Sequence, residues 1–451
     1  MSQPMIGVKP EDLNTPEKRE KFTACIVGCG HEGILHAVLF ADLGFRVTCF
    51  DSDQTVLNNV NRGKTLSSGS EVEVKLKNHV RRGRIVTVND IKKAVSSSDV
   101  IALTIPAKVD SKKGVDYSGI ESMCKKIGSS LKLGSLVMIV KPVGTGVTEG
   151  IIREAIEDSS GFKVGADFGL VYSPSNLSSG YARIVGATDD KSLNLSVAIL
   201  KSSSPTGLVT TRNVKAAELA ILSRAQKDDV DRALANELAM LCEKTRADYL
   251  EVVDLLERST PSLPPSNALS SEDAREEPYL LLAEAENLNI KLRVPAAARE
   301  TNEQMVRHMV TLTKDALRSC GKTLRRARIT LLGVSKTPNM KNHPKRMVKD
   351  MIQSLTARGA RISVYDPYLT ESDVSDSIPN LKKNLSDSLE GADCIVIATR
   401  HDQFKRLNLG KLKMAMRKPA AIVDLEGVMD PGKVEREGFI YRGLGRGVWT
   451  K

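Results

Sequence analysis

The apolar positions of the chain fall into short β-branched runs separated by longer stretches with helical spacing. ACIVG (24–28), RVTCF (46–50), DVIALTI (99–105), LVMIV (136–140) and GLVY (169–172) are near-continuous apolar segments, the pattern of strands covered on both faces. Their alternation with helical patterns predicts a parallel sheet wrapped by helices. A second set, RITLLGV (328–334), RISVYDP (361–367), DCIVIAT (393–399) and AIVDL (421–425), loosely repeats that layout.

Between the two sets the period changes. Residues 215–257 predict one long helical stretch, with Leu219, Leu222, Ala233, Leu234, Leu238, Leu241 and Val252 near helical spacing and no internal Gly or Pro. A Ser/Pro-rich break at 259–273 follows, then further helix to about Cys320. The expected fold is therefore α/β: two Rossmann-like doubly wound parallel-sheet domains joined by a long central helix and a helical middle domain. The expected divisions are a flexible lead-in over 1–21, polar and carrying Pro4, Pro10 and Pro16, an N-terminal domain over 22–212, a central helical domain over 213–322 and a C-terminal domain over 323–451.

Composition adds little to the fold but narrows the setting. Hydrophobic residues at 41% and charged residues at 27% are those of a globular protein. The seven cysteines are odd in number and form no CxxC pair, so reduced thiols in the cytoplasm are expected. No apolar run approaches the roughly 18 residues needed to cross a bilayer, and no membrane partner is expected. The net charge of +11 suits an anionic partner. Its densest groups, at 81–84, 322–328 and 341–349, come with no nucleic-acid motif, so nucleic acid is not the expected partner.

The sharpest local signal follows the first strand. GCGHEG (28–33) matches GxGxxG and opens a helical pattern. Gly28 permits the tight turn, Gly30 lets the backbone approach a pyrophosphate, and Gly33 allows close helix packing, with the phosphate resting on helix N-terminal N–H groups. Asp51, ending the next strand, is placed to accept hydrogen bonds from a ribose diol and to repel a 2′-phosphate. NAD is the expected cofactor. His31 reads as a phosphate-side contact and Cys29 as a small filler. Glu32 is a carboxylate at the mouth of an anion site, which works against binding. No metal site is expected.

With the later motifs added, the chain resembles the UDP-glucose/GDP-mannose dehydrogenase family, the NAD-dependent nucleotide-sugar dehydrogenases. The carriers are the glycine loop with Asp51, KPVGTGVTEG (141–150), YSPSNLSSGYARIVG (172–186), the helical segment 217–256, EEPYLL (276–281), VYDPYL (364–369), ATRHDQFKRL (398–407) and YRGLGRG (441–447). The resemblance implies two oxidations of a sugar alcohol by NAD through a cysteine-bound intermediate. It also implies an oxyanion-stabilising Lys and Asn, and a Glu and Thr that handle protons with water.

Carried over position by position, most of these parts are replaced. Asp273 stands where the thiol is implied, Ile221 and Ala225 where the Lys and Asn are, Val140 at the threonine, and Ser175, with Ser179 nearby, at acidic positions. Asn236 fixes the register of the helix and is retained as a substrate-side residue. Lys336 matches a substrate lysine and Lys341 a nearby arginine, while Asp424 is kept and Glu426 replaces an arginine facing an anionic substrate. The leading expectation is a divergent homologue that keeps NAD and a nucleotide or nucleotide-sugar ligand without the thiol chemistry, as a pseudoenzyme or regulatory partner. It would form a homodimer through the central helix or a heteromer with an active relative. The alternatives are a two-electron oxidoreductase using Asp273, Glu272 or Glu277 as base, and a polyanion binder.

Overall fold

The computed structural model describes residues 4–65, 71–110, 112–174, 181–259, 276–374, 378 and 380–447. The chain divides into two compact units, Met1–Gln226 with Arg275–Leu292, and Lys227–Ala274 with Arg293–Lys451. The helical middle expected over 213–322 is shared between them. The helix Val214–Thr245 passes from one to the other, Glu277–Asn287 packs in the first unit and Arg293–Ser319 in the second.

The first unit is built on strands β1 (Thr23–Val27), β2 (Arg46–Phe50), β3 (Ile85–Thr87), β4 (Val100–Leu103), β7 (Leu136–Ile139), β8 (Gly169–Tyr172), β9 (Arg183–Ala187) and β10 (Leu208–Thr211), with β5 (Lys108–Val109) and β6 (Val115–Asp116) forming a small hairpin. The sheet order is β10-β9-β8-β7-β4-β1-β2-β3, parallel except where β9 meets β8. Strand order reverses between β1 and β4, which opens a crevice at their carboxyl ends. All four residues of β4, β7 and β8 are buried, as their unbroken apolar runs require.

From residue 4 onward the segment expected as a flexible lead-in has residues packed in the first unit. Met5 and Leu13 are buried in the core, and Arg19, 3% exposed, donates to the carbonyls of Leu13, Leu43 and Ala198. Apolar side chains at Met5, Val8 and Leu13 give this polar segment enough burial to hold it in place.

The helical stretch predicted over 215–257 is two helices, Val214–Thr245 and Tyr249–Ser259. Arg246 turns left-handed at φ 60°, and the Asp248 carboxylate accepts from the Leu250 N–H, capping the second helix.

The second unit carries β11 (Arg328–Leu332), β12 (Arg361–Tyr365), β13 (Cys394–Ile397), β14 (Ala421–Asp424) and β15 (Ile440–Gly443) in the all-parallel order β12-β11-β13-β14-β15. This is a doubly wound order with its switch point between β11 and β13. Helix Arg293–Ser319 contributes Met305, Met309, Leu312, Ala316 and Leu317 to the core beneath it.

Candidate cofactor and substrate site

Gly28 ends β1 at φ 97°, and a Cβ on Gly33 would lie 1.9 Å from the Gly28 carbonyl oxygen, so turn and helix can approach only as glycines. A Cβ on Gly30 would meet nothing within 4 Å, which leaves that face of the loop open. The helix His31–Asp42 starts there and directs its first N–H groups toward the opening. Asp51 accepts from the Cys29 N–H at 2.6 Å and the Asp53 N–H at 2.9 Å, one bond to each oxygen. Each oxygen keeps a lone pair, so the carboxylate braces the loop and still offers acceptors to a ribose diol. His31, the first residue of the helix, is exposed.

Thr104, just past β4, donates from Oγ1 to the carbonyls of Val27 and Gly28 and ties the loop across the switch point. Sequence reasoning missed it, although a threonine closing an apolar strand beside a glycine turn is a readable signal. These glycines, the helix start and the acidic acceptor fit a dinucleotide.

Glu32 is answered by Lys141, whose Nζ lies 2.5 Å from its Oε1. Glu277, at the start of the helix Glu277–Asn287, joins this group. Burial pushes its carboxyl above the ordinary range, Lys141 pulls it back and Glu32 adds to the rise. The segment following Lys141 is held by three side chains brought from separate elements. Tyr117 Oη accepts from Gly144 N–H at 3.0 Å, Glu284 from Thr145 N–H at 2.9 Å, and Glu218 from the N–H groups of Gly146 and Thr148. Burial raises Glu218 and pushes the Tyr117 phenol up to about 12.

The positions implied for catalysis do not converge on reactive groups. Val140 is 1% exposed and packs in the core, and Ile221 packs against a core cluster of the first unit. Ala225 lies half-buried in the same helix. Ser175, Ser179, Glu272 and Asp273 lie outside the described residues. All seven cysteines are free and buried. Burial raises the thiols of Cys25, Cys124, Cys242, Cys320 and Cys394, and the Cys49 hydrogen bond together with burial holds Cys29 far above the ordinary value. Cys29 faces the carbonyls of Ile26 and Phe50, as a filler should.

In the second unit the residues carried over as substrate contacts are largely engaged within the protein. Asn236 is 1% exposed and donates to Asn302, which in turn donates to Asp229, itself paired with Arg299 at 2.8 Å. Lys341 pairs with Asp373 at 2.6 Å. Lys336 is exposed on the loop after β11. Glu426 does not stand as a bare reversed charge: Lys345 Nζ lies 2.5 Å from it and also donates to the Ala398 carbonyl, both side chains being buried. Asp424 accepts from the Glu426 and Met429 N–H groups.

A buried histidine organises the crevice loop. His401 Nδ1 accepts from the Asn339 N–H at 2.9 Å, so a neutral ring carries its hydrogen on Nε2, which faces Ser335 Oγ at 3.1 Å and Asp366 at 3.3 Å. Asp366 also accepts from the N–H groups of Val334 and Ser335. These residues resemble a hydrolytic triad only in composition. His401 and Ser335 are both fully buried and hold the loop in place.

Residues 22–193 match the model described as "UDP-glucose/GDP-mannose dehydrogenase family, NAD binding domain", and residues 330–431 match the same family's UDP binding domain. Among curated relatives, the UDP-N-acetyl-D-mannosamine dehydrogenase of Pyrococcus horikoshii is 27% identical over 436 residues, covering 94% of this chain and 99% of the relative. The UDP-glucose 6-dehydrogenase of Rhizobium meliloti is 25% identical, covering 93% and 99%. The solved structure of UDP-D-ManNAc dehydrogenase from P. horikoshii superposes with a TM-score of 0.81 at 24% identity, covering 94% of this chain and all of that one. A UDP-glucose dehydrogenase structure from Pyrobaculum islandicum gives 0.80 at 21%, covering 94% and 98%, so the fold is shared throughout. Two domain models of one family, matched in order, with a glycine loop shaped for NAD inside the first, place the chain in the UDP-glucose/GDP-mannose dehydrogenase family with NAD as its cofactor.

Proposed function

We propose that this chain binds NAD and a nucleotide sugar but does not perform the thiol-dependent four-electron oxidation, and that it serves as a binding or regulatory member of its family. The observation that carries this reading is the state of the cysteines. A nucleophilic thiol must be accessible and ionisable, and each of the seven here is buried. The apolar packing of Val140 and Ile221 where proton-handling and oxyanion groups are implied supports it further. Because relatives carry the names UDP-N-acetyl-D-mannosamine dehydrogenase and UDP-glucose 6-dehydrogenase, UDP-sugars are the ligand class to test first.

The assembly we propose is a homodimer through the central helix, or a heteromer with an active relative. Leu234 and Leu241, seven apart on that helix, are 44% and 56% exposed and form one apolar face. Free buried thiols throughout suit the reducing cytoplasm. No helix among the described residues is long and apolar enough to cross a membrane.

Calorimetric titration with NAD and with UDP-sugars, followed by an assay for NADH, tests the reading. Saturable binding of both without NADH is expected, and NADH formation at two per sugar overturns it. A second reading, two-electron oxidation or carbonyl reduction, is favoured by Glu277, whose raised carboxyl beside Lys141 suits a general base. It predicts one NADH per sugar, abolished in Glu277→Gln.

A further inference from the structure

One edge of the second unit's sheet carries a dense group of cations. In an all-parallel sheet the strand amino ends lie together, opposite the edge that forms a nucleotide crevice. Arg325, Arg326 and Arg328 lead into β11, Arg358 and Arg361 into β12, and Arg417 and Lys418 into β14. Strand pairing sets Arg328 directly beside Arg361. Gly391, in the turn before β13, is flanked by Arg328 and Arg417, since a Cβ there would lie 2.8 Å from Arg328 Nη1 and 3.7 Å from Arg417 Nε. Arg325 lies against Gly359, and the Arg326 N–H donates to the Gly359 carbonyl. The cations therefore form one continuous strip.

Among the described residues, the side-chain cations of Arg325, Arg326, Arg328, Arg361, Arg417 and Lys418 form no ion pair, although the Arg328 backbone N–H donates to the Asp393 carboxylate at 2.8 Å. Lys322, which donates to the Arg417 carbonyl, pairs with buried Asp393. Glu390 and Glu437 lie on the same edge and are exposed, but pair with none of these cations. Cations that outnumber the acids beside them and form no direct ion pairs raise the local potential and favour an anionic surface.

Two further features specify the partner. Met414 ends the helix Leu409–Ala415 at 79% exposure, with Lys411, Lys413, Arg417 and Lys418 around it in sequence. Beside it a cavity of about 210 Å³ is lined by Lys413, Lys418, Pro419, Ala420, Gly438 and Phe439. An exposed, flexible apolar side chain with cations close to it in sequence suits entry into a lipid interface. A pocket between two lysines suits a phosphate headgroup. Phe439 and Tyr441, the rings nearest this strip in sequence, are buried, so no stacking platform for nucleobases is offered.

We propose that this edge docks peripherally on an anionic phospholipid bilayer, with Met414 entering the interface and a headgroup phosphate between Lys413 and Lys418. This departs from the expectation of no membrane partner, which rests on the lack of an apolar run long enough to span a bilayer. A basic face assembled from the starts of separate strands carries no such signal.

Cosedimentation of the full chain with vesicles tests the proposal. At low salt the chain is expected to sediment with phosphatidylcholine vesicles containing phosphatidylglycerol and not with phosphatidylcholine alone, and binding is lost at high salt. Arg417→Glu with Lys418→Glu should weaken binding about 20-fold or more. Met414→Asp should weaken it several-fold with an unchanged circular dichroism spectrum. Reversal of Arg81 and Arg82, exposed on the first unit, should leave it intact. The proposal is overturned by absence of sedimentation with the anionic vesicles, by equal loss in the Arg81/Arg82 control, or by full competition from inorganic phosphate or an oligothymidine at matched charge.

Discussion

Lys141 Nζ sits 2.5 Å from Glu32 Oε1, at the start of the helix whose N-terminus faces the cofactor loop. The pair cancels a negative charge that otherwise opposes a pyrophosphate. Lys141→Met should raise the dissociation constant for NAD about fivefold, a modest figure because Glu32 is partly exposed and screened. The double variant with Glu32→Gln should return close to the parent value. Titration calorimetry of the four forms measures this, and unchanged affinity in Lys141→Met would place the pair away from the phosphates.

The loop glycines separate folding from binding. Gly33→Ala drives a methyl into the Gly28 carbonyl and should cost about 3 kcal/mol or more of stability. Gly30→Ala meets no protein atom within 4 Å, so its melting temperature should match the parent while NAD affinity falls. Thermal melts beside NAD titrations distinguish the two, and equal destabilisation would contradict the open face.

His36, fully buried on the same helix, is held down to about 4, first by burial and then by the nearby Arg183 guanidinium. Its Nδ1 donates to the Glu32 carbonyl at 2.8 Å. The unfolded chain takes up this proton near the ordinary value of about 6.5, so the folded form is stabilised above that pH and loses about 3 kcal/mol as pH falls toward 4. His36→Gln should flatten this part of the pH profile in urea unfolding. An identical slope in the variant would assign the loss to other groups.

Much of this arrangement is legible in the chain. The apolar runs at 24–28 and 169–172 become β1 and β8, because strands buried on both faces leave no polar alternation to misread. β3 and β10 are half-exposed and short, and β15 runs into a glycine-rich motif, so their apolar signal is weak. Gly28, Gly30, Gly33 and Asp51 could be read because a phosphate loop depends on local spacing. The ties made by Thr104, Lys141, Glu218 and Glu284 depend on residues distant in sequence, which only the fold brings together. The packing of Met5, Val8 and Leu13 is not legible, because a few apolar residues in a polar segment do not reveal the surface they meet.

Lys345 and Glu426 form a buried pair in place of the arginine implied at 426. Restoring that arginine as Glu426→Arg sets two cations together and should cost about 3 to 5 kcal/mol, and Lys345→Met should cost a similar amount by stranding the carboxylate. Replacing both with apolar residues should recover most of the loss. Denaturant unfolding tests this, and a stable Glu426→Arg would mean the pair is dispensable.

The most direct test mixes the full chain with NAD and UDP-N-acetylmannosamine or UDP-glucose at concentrations shown by titration to saturate it, and measures NADH released per sugar before and after iodoacetamide. Saturation with no NADH in either sample, and no labelled cysteine until the chain is unfolded, is the predicted result. Two NADH per sugar, lost after alkylation, would contradict it.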